Sequence, residues 1–322
     1  MPNVREETLT ATVPVSAIVP TRNRSDILFR TLTSLRTQGL APAELIIVDA
    51  SDDNQTQKAI EALERQEELC AGRIIWERAQ EHGAAVQRNQ GWARAGQPVI
   101  WFFDDDILFE PDCVARLWSA LQSDAGLGGV SAMITNQCYR QPGRISEFMF
   151  RVMAGRREVS YAGRVLGPAI NLLPEDREDL PEIVPVQWLN TTCVLYRREA
   201  LPDPPFARHF SGYSMMEDLT LSLTVGKRWR LANARTARIF HDSQPGSHKS
   251  DPAVLAEMEL VNRHYVMSQV LMRRSWADFL RLTIWEMFQI IVALTDRQGR
   301  SSLHRVLIGK IKALRLLAGA SE

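Results

Sequence analysis

The sequence predicts an α/β protein with a doubly wound, mostly parallel sheet and a helical C-terminal extension. Three observations predict it. Uncharged runs rich in β-branched and aromatic residues alternate with helical patterns of about a dozen residues through the first half of the chain. Polar and acidic residues gather at the carboxyl ends of those runs, the edge where ligands bind in such sheets. From residue 246 onward the apolar spacing is that of helices.

Residues 15–20 form the first expected strand, closed by Pro20. Ser25 is placed to cap a helix whose Ile27, Leu28, Leu32 and Leu35 recur at helical spacing, with Gly39 at its end. Residues 44–49 read as a second buried strand ending in Asp49, followed by an amphipathic helix through Ile60 and Leu63. A third strand at 73–76 and a helix over 83–95 lead to the uncharged run 98–103. That run reads as a strand buried on both faces. Pro111 and Asp112 start a helix carrying Val114, Leu117 and Leu121, and 127–134 is a further strand.

The pattern loosens over 135–185, which is Arg-rich and punctuated by Gly and Pro. The sequence predicts an insertion over the site there, with 174–179 as a solvated loop. Regular structure is expected again at 186–189 and 193–198, in a helix opening on Glu217-Asp218, and in a strand over 238–242. Helices follow over 251–272 and 303–317. The last places Leu303, Val306, Leu307, Ile311 and Leu314 on one face, opposite Arg305, Lys312 and Arg315. No acid occurs within it, so it either packs on its own domain or lies on an anionic membrane. The chain therefore divides into a tail (1–14), an α/β unit (15–245) and a helical extension (246–322).

Lys plus Arg and Asp plus Glu number 38 each in 322 residues, so no overall field favours nucleic acid. The four cysteines show neither zinc nor redox spacing, as expected of reduced thiols in the cytoplasm. An acidic N-terminus and an interrupted apolar segment at 282–294 predict a chain that is neither exported nor membrane-spanning. Neither a Walker-type loop nor a Gly-x-Gly-x-x-Gly fingerprint is present, which leaves phosphates to a metal and basic side chains.

Asp104, Asp105 and Asp106 follow the buried 98–103 run directly. Adjacent like charges at the end of a buried strand repel and resist desolvation, so they do not serve stability. A divalent cation turns that repulsion into a binding site, because hard cations prefer carboxylate oxygens. An acidic turn facing water is the plainer alternative. Asn23 and Asp49 also read as ordinary turn residues, Glu217-Asp218 as helix-capping acids, and His241 as a structural histidine.

The order of these motifs resembles that of the family 2 glycosyltransferases, which have the GT-A fold. Val19-Pro20-Thr21-Arg22-Asn23-Arg24 is similar to the family's first-strand signature, and Ile46-Ile47-Val48-Asp49 to its second. Gly83 with Arg88-Asn89-Gln90-Gly91 resembles the Gly…Ala-Arg-Asn-x-Gly segment, with Gln87 where a small residue is usual. Phe102-Phe103-Asp104-Asp105-Asp106 matches the Asp-x-Asp motif, and Glu217-Asp218-Leu219 the Glu-Asp pair that carries the base. Trp188 through Leu201 resembles the acceptor-side strand, with Asn190-Thr191-Thr192 where many members have Gly or Ala. Asn262-Arg263-His264-Tyr265 is similar to a segment of saccharide-assembly members.

The resemblance implies a nucleotide-binding half over 15–134 and an acceptor half over 135–245. It implies Mn²⁺ or Mg²⁺ held by Asp104, Asp106 and His241, and a nucleotide-sugar donor met by Pro20, Thr21, Arg22, Asp49, Arg88, Asp104 and Asp105. Arg22 and Arg88 read equally as arginines on a solvated face. Trp188 then belongs to the acceptor side, and Asp218 is the general base with Glu217 its nearest substitute. The expected reaction is an inverting transfer to a saccharide or lipid-linked saccharide, on the cytoplasmic side and in peripheral contact with membrane. A sugar-phosphate nucleotidyltransferase and a non-catalytic nucleotide-binding scaffold are the alternatives. Because three aspartates repel a diphosphate, nucleotide diphosphate is expected to bind weakly without divalent ion. Asp106→Ala is expected to abolish the Mn²⁺-dependent part of that binding and turnover together, measured by calorimetry and donor consumption.

Overall fold

Nine strands of the chain form one mixed sheet among the residues that a computed structural model describes, 11–65, 72–210, 212, 215–244, 251–295 and 297–319. The first half supplies β1 (Ala11–Thr21), α1 (Ser25–Arg36), β2 (Leu40–Asp49), α2 (Gln55–Arg65), β3 (Arg73–Arg78), α3 (Ala84–Arg94) and β4 (Val99–Phe103). It continues with β5 (Ile107–Phe109), α4 (Cys113–Gln122) and β6 (Leu127–Ile134). Then come α5 (Arg144–Ala154), β7 (Val165–Leu166), β8 (Ile170–Asn171), β9 (Ile183–Val186), β10 (Cys193–Arg197), α6 (Glu217–Val225) and β11 (Arg230–His241). The extension contains α7 (Pro252–Tyr265), a π-helical turn (Val266–Val270), α8 (Trp276–Ala293) and α9 (Arg297–Gly319).

The strand order is β3-β2-β1-β4-β10-β6-β11-β5, with β9 also pairing β11. The strands β1, β2, β3, β4, β6 and β11 share a direction, while β10, β5 and β9 run against it. The sheet is therefore mixed and mostly parallel. Thr21 pairs with Asp49 and Ile18 with Phe102, so the carboxyl ends of β1, β2 and β4 meet at one edge.

Alternate residues of the buried strands feed two cores. Trp101 and Phe103 face α1 and α4, with Leu32, Leu35 and Leu117. Ile18 and Phe102 face α3 and α6, with Tyr196, Phe206 and Leu221. A Cβ on Gly91 would stand 2.5 Å from Ile18 Cγ2, so glycine lets α3 lie directly on β1.

Several expectations change. Residues 11–14, assigned by sequence to the tail, begin β1. Ser25 is the first helical residue of α1 and caps nothing; Arg24 occupies the cap position without a side-chain bond. Leu63 lies within α2, but its side chain falls outside the described residues. Ile107–Phe109, unassigned by sequence, is a short strand paired with β11. Strand β9 ends at Val186, where 186–189 was expected to begin one, and β11 starts at Arg230, eight residues before the expected 238.

The region 135–185 is more ordered than its composition suggests. Met149, Phe150 and Val152 of α5 pack with Tyr161 and Leu166 against Trp285 and Phe288 of α8. The insertion is thus a bridge to the extension, and its start, Asn136 and Gln137, reaches His241. Within 174–179, Glu175 is buried and accepts from Gln141 and Ser160, and Asp176 pairs with Arg238 at 2.8 Å. Solvent covers only the Arg177–Asp179 portion as expected.

The start expected at Asp251-Pro252 holds: Asp251 accepts from Ala253 N at 2.8 Å and Pro252 opens α7. Ser275 and Asp278 form a capping box on α8. On α9 the expected single apolar face splits. Leu303 and Val306 are half-buried, whereas Leu307, Ile311 and Leu314 are exposed. Lys310 is buried and paired with Glu286. Gly309 lets α9 lie directly on α7, because a Cβ there would overlap the Ala253 carbonyl. Helix propensity alone favours Gly309→Ala by about 1 kcal/mol. The backbone approach predicts the reverse sign, a loss of about 1–3 kcal/mol by overpacking, read as a lowered Tm and faster proteolysis of α9.

Candidate active site

The loop after β1 is held open by Asn23, which adopts a left-handed φ of 53°. Asparagine tolerates that conformation better than most residues. Its backbone N–H donates to Ser51 Oγ at 2.7 Å, and its side chain exchanges two bonds with Asp52, at 2.7 and 2.9 Å. This clasp presents Arg24 to the carboxylates, with NH1 at 3.3 Å from Asp105 Oδ1 and 3.4 Å from Asp106 Oδ2. Arg24 belongs to the first-strand signature but is not among the residues the resemblance assigns to the donor. Arg22 is exposed and acts toward Asp52 instead.

The three aspartates have three different environments. Asp105 is buried and accepts from Thr21 Oγ1 at 2.6 Å. Burial pushes its pKa up to about 7, against the pull of Thr21 and Arg24. Asp106 is buried too, but His241, the Gln244 N–H and Arg24 outweigh desolvation and hold its carboxyl below the usual range. His241 Nε2 lies 3.1 Å from Asp106 Oδ1, and Gln137 Nε2 lies 3.1 Å from His241 Nδ1. The antiparallel pairing of His241 with Ile107 is what brings the histidine there. Asp104 is half-buried, and its Oδ1 accepts from Arg88 NH2 at 2.5 Å.

One ligand atom each from Asp104, Asp106 and His241 lies within 4.8 Å of the others. Two carboxylate oxygens and an imidazole nitrogen form a donor set that suits Mn²⁺ or Mg²⁺, with the histidine favouring Mn²⁺.

Arg88 links this cluster to the second pair of acids. Its side chain is buried, with NH1 3.8 Å from Glu217 Oε1 and the guanidinium 5.7 Å from the Phe206 ring. The solvated-face alternative for Arg88 is thereby corrected. Glu217 and Asp218 open α6 but do not cap it; Met216, at φ 72°, holds the cap position without a side-chain bond. Asp218 Oδ1 accepts only from the adjacent Leu219 N–H, at 2.7 Å, among the described residues. Burial, then the Asp218 charge, pushes Glu217 up to about 8 despite Arg88. Burial pushes Asp218 up to about 6, against the Leu219 N–H and Arg88.

Asp49 is fully buried, accepting from Ser51 N at 2.8 Å and Trp76 Nε1 at 3.3 Å, with Arg78 at 3.7 Å. Pro20 and Thr21 are buried beside it at the end of β1. Gln87, in place of the usual small residue, donates to the Thr21 and Val48 carbonyls at 3.0 and 2.8 Å and so ties β1 to β2. Trp188 is buried, donates to Leu172 O at 2.8 Å and packs on Met216 and Leu219. Beside it, Asn190 is buried, its Oδ1 without a hydrogen-bond partner among the described residues.

Sequence reasoning missed the support beneath α6. Asn262 Nδ2 donates to Met215 O at 2.8 Å, its Oδ1 meets His209 Nε2 at 3.1 Å, and His209 stacks on Tyr265 at 4.1 Å. The Asn262–Tyr265 motif was visible, but nothing in the sequence joins it to residue 215. A cavity of about 700 Å³ lies elsewhere, lined by Leu127, Ile183, Trp229, Leu231, Val270 and Arg273, with none of the predicted site residues.

A family model described as "Glycosyl transferase family 2" matches residues 16–203, more than half of the chain. The chain belongs to that family. Its sheet has the GT-A fold of that family. The protein is 30% identical over 112 residues to validoxylamine A glucosyltransferase of Streptomyces hygroscopicus subsp. limoneus. That match covers 34% of this chain and 24% of the relative, so the chain spans about a quarter of the curated relative's length. The fold is similar to that of the mannosyltransferase PcManGT from Pyrobaculum calidifontis in complex with GDP-Man and Mn²⁺, with a TM-score of 0.51 and 14% identity over 94% of this chain and 87% of that one. It is also similar to S. aureus TarS in complex with UDP-GlcNAc, with a TM-score of 0.51 and 15% identity over 94% and 89%.

The acids of this glycosyltransferase carry a pH signature. Glu217 and Asp218 bind protons more tightly folded than unfolded, so their contribution to stability is complete below the ordinary carboxylate range. It is lost as pH rises through about 6 and about 8. Without metal, unfolding free energy is expected to fall over that window by no more than about 1.4 kcal/mol per pH unit for each group, and Tm with it. Glu217→Gln is expected to flatten the upper part of the curve, measured by thermal melts across the window.

Proposed function

We propose that this glycosyltransferase moves a sugar from a nucleotide diphosphate sugar to a saccharide or lipid-linked saccharide acceptor in glycan assembly, with inversion at the anomeric carbon. The observation that carries the reading is the Arg88 contact, which joins the Asp104–Asp106–His241 cluster to the Glu217–Asp218 pair. A leaving-group site and a base site then lie side by side, as a single displacement requires.

Asp104, Asp106 and His241 hold the divalent cation in this reading. A cation bound there offsets the negative charge that grows on the departing diphosphate. The donor lies along Pro20, Thr21, Asp49, Arg88, Asp104 and Asp105, with Arg22 at the exposed rim. Asp49, placed by Ser51 and Trp76, faces the base. GDP-Man and UDP-GlcNAc in the two structural relatives support a nucleotide-sugar donor of this kind.

The acceptor enters on the Trp188 side. Its hydroxyl needs a base that is ionised near neutral pH yet basic enough to take a proton. Asp218, at about 6, meets that condition. Glu217, pushed up to about 8 by burial and the Asp218 charge, is protonated at neutral pH and leaves the base role to Asp218. The enzyme works on the cytoplasmic side, with its extension against the membrane that carries a lipid-linked acceptor. No described helix is long and apolar enough to cross that membrane.

Asp218→Asn keeps the size of the side chain but cannot accept the proton. Its kcat is expected to fall by ~10²–10⁴, while donor and Mn²⁺ affinity and Tm stay close to wild type. Near-normal turnover per folded molecule would sink the base assignment.

A further inference from the structure

Helix α8 is apolar on two opposite sides, and only one of them is covered. Leu282, Trp285 and Phe288 point inward, against α5 and the α7–α9 pair. Trp276, Leu280, Thr283, Met287 and Ile291 recur at steps of four, three, four and four along the outer side. Trp276 is 79% exposed, Leu280 49%, Met287 59% and Ile291 58%. A helix apolar all round belongs in a core or at an apolar boundary, because its outer face gains nothing from water.

The charge around the stripe indicates what covers it. The acids of α8 are both engaged away from it, Asp278 with Ser275 and Glu286 with Lys310. Helix α9, joined to α8 through that Lys310 contact, carries six lysines and arginines and no acid from Arg297 to Gly319. Its exposed surface mixes Leu307, Ile308, Ile311 and Leu314 with Lys312 and Arg315. A second copy docked by the same patch would bring two acid-free, basic helices toward each other at a like-charge cost. An anionic surface meets no such penalty.

We propose that α8 is the docking face of this protein on a bilayer containing anionic lipid. The helix lies in the membrane plane with the Trp276–Ile291 stripe at the headgroup–acyl boundary, and the exposed Lys312 and Arg315 of α9 meet lipid phosphates. This rests on the membrane contact in the proposed function but moves its apolar anchor from α9 to α8.

The test is flotation of the full chain with vesicles of phosphatidylcholine, with and without phosphatidylglycerol, at low and high salt. Wild type is expected to float with the anionic vesicles and less so in salt. Leu280→Ser/Met287→Ser/Ile291→Ser is expected to lower partitioning at least roughly tenfold, since each exposed side chain loses its apolar burial. Leu307→Ser/Ile311→Ser is expected to cost less. Thermal melts confirm that each variant is folded, and the single Ile291→Ser is expected to shift partitioning in the same direction. Loss with the α9 variant but not the α8 variants would overturn the proposal and leave the membrane reading standing. Failure of wild type to float would overturn both, whatever the enzyme's activity on soluble acceptor. A wild-type dimer in sedimentation that the α8 variant dissociates would overturn it in favour of a second copy.

Discussion

One buried cation organises this molecule. Arg88 is held inside α3 with Asp104 on one side and Glu217 on the other, residues brought together from β4 and α6. A buried guanidinium is costly unless charges and hydrogen bonds answer it. Its surroundings are fixed accordingly. Gly91 lets α3 settle onto β1, and Asn89 binds both the N–H and the carbonyl of Phe206, at 3.0 and 2.8 Å. Phe206 then forms the floor under the guanidinium. The Nε and NH1 groups have no hydrogen-bond acceptor among the described residues, so Arg88 retains capacity for a phosphate or a shifted carboxylate.

Around that cation the acids outnumber the bases. Asp104, Asp105, Asp106, Glu217 and Asp218 meet Arg24, Arg88 and a titratable His241. The excess appears as raised proton affinity on Asp105, Glu217 and Asp218. Asp106, with its histidine and backbone donor, is instead held below the usual carboxylate range. An additional cation in the cluster would relieve that excess, so cation binding and proton affinity are coupled through one patch of charge.

The extension contributes to this arrangement from behind. Asn262 holds the carbonyl of Met215, two residues before Glu217, and Arg263 donates to Ala169 O at 2.8 Å while pairing with Glu259. Met216 and Ala169 both carry a left-handed φ, and both pack with Trp188. Helix α7 thus braces backbone that would not keep that shape alone. The same bundle exposes α8 on its outer side, so the brace on α6 and the apolar surface belong to one packed unit.

Much of the architecture was legible from local signals. Buried strands 127–134 and 99–103, the start of α7 at Asp251-Pro252 and the polar edge at Thr21, Asp49 and Asp104 all follow from short-range patterning. Such patterning records which residues prefer a strand or a cap. It does not record which distant strand a segment pairs with. Hence β5 went unassigned, since three apolar residues have no period of their own and β11 alone makes them a strand. The length of β11 and the order of 135–185 depended likewise on partners far along the chain. At the site, the sequence by itself determined the acids and their order, because three adjacent aspartates and a Glu-Asp pair are written in the chain. Tertiary structure alone decided that Arg24 rather than Arg22 faces them, that Arg88 bridges the two groups, and that Asn262 supports Met215. Those choices rest on which charges are desolvated together, and burial is a property of the packed chain.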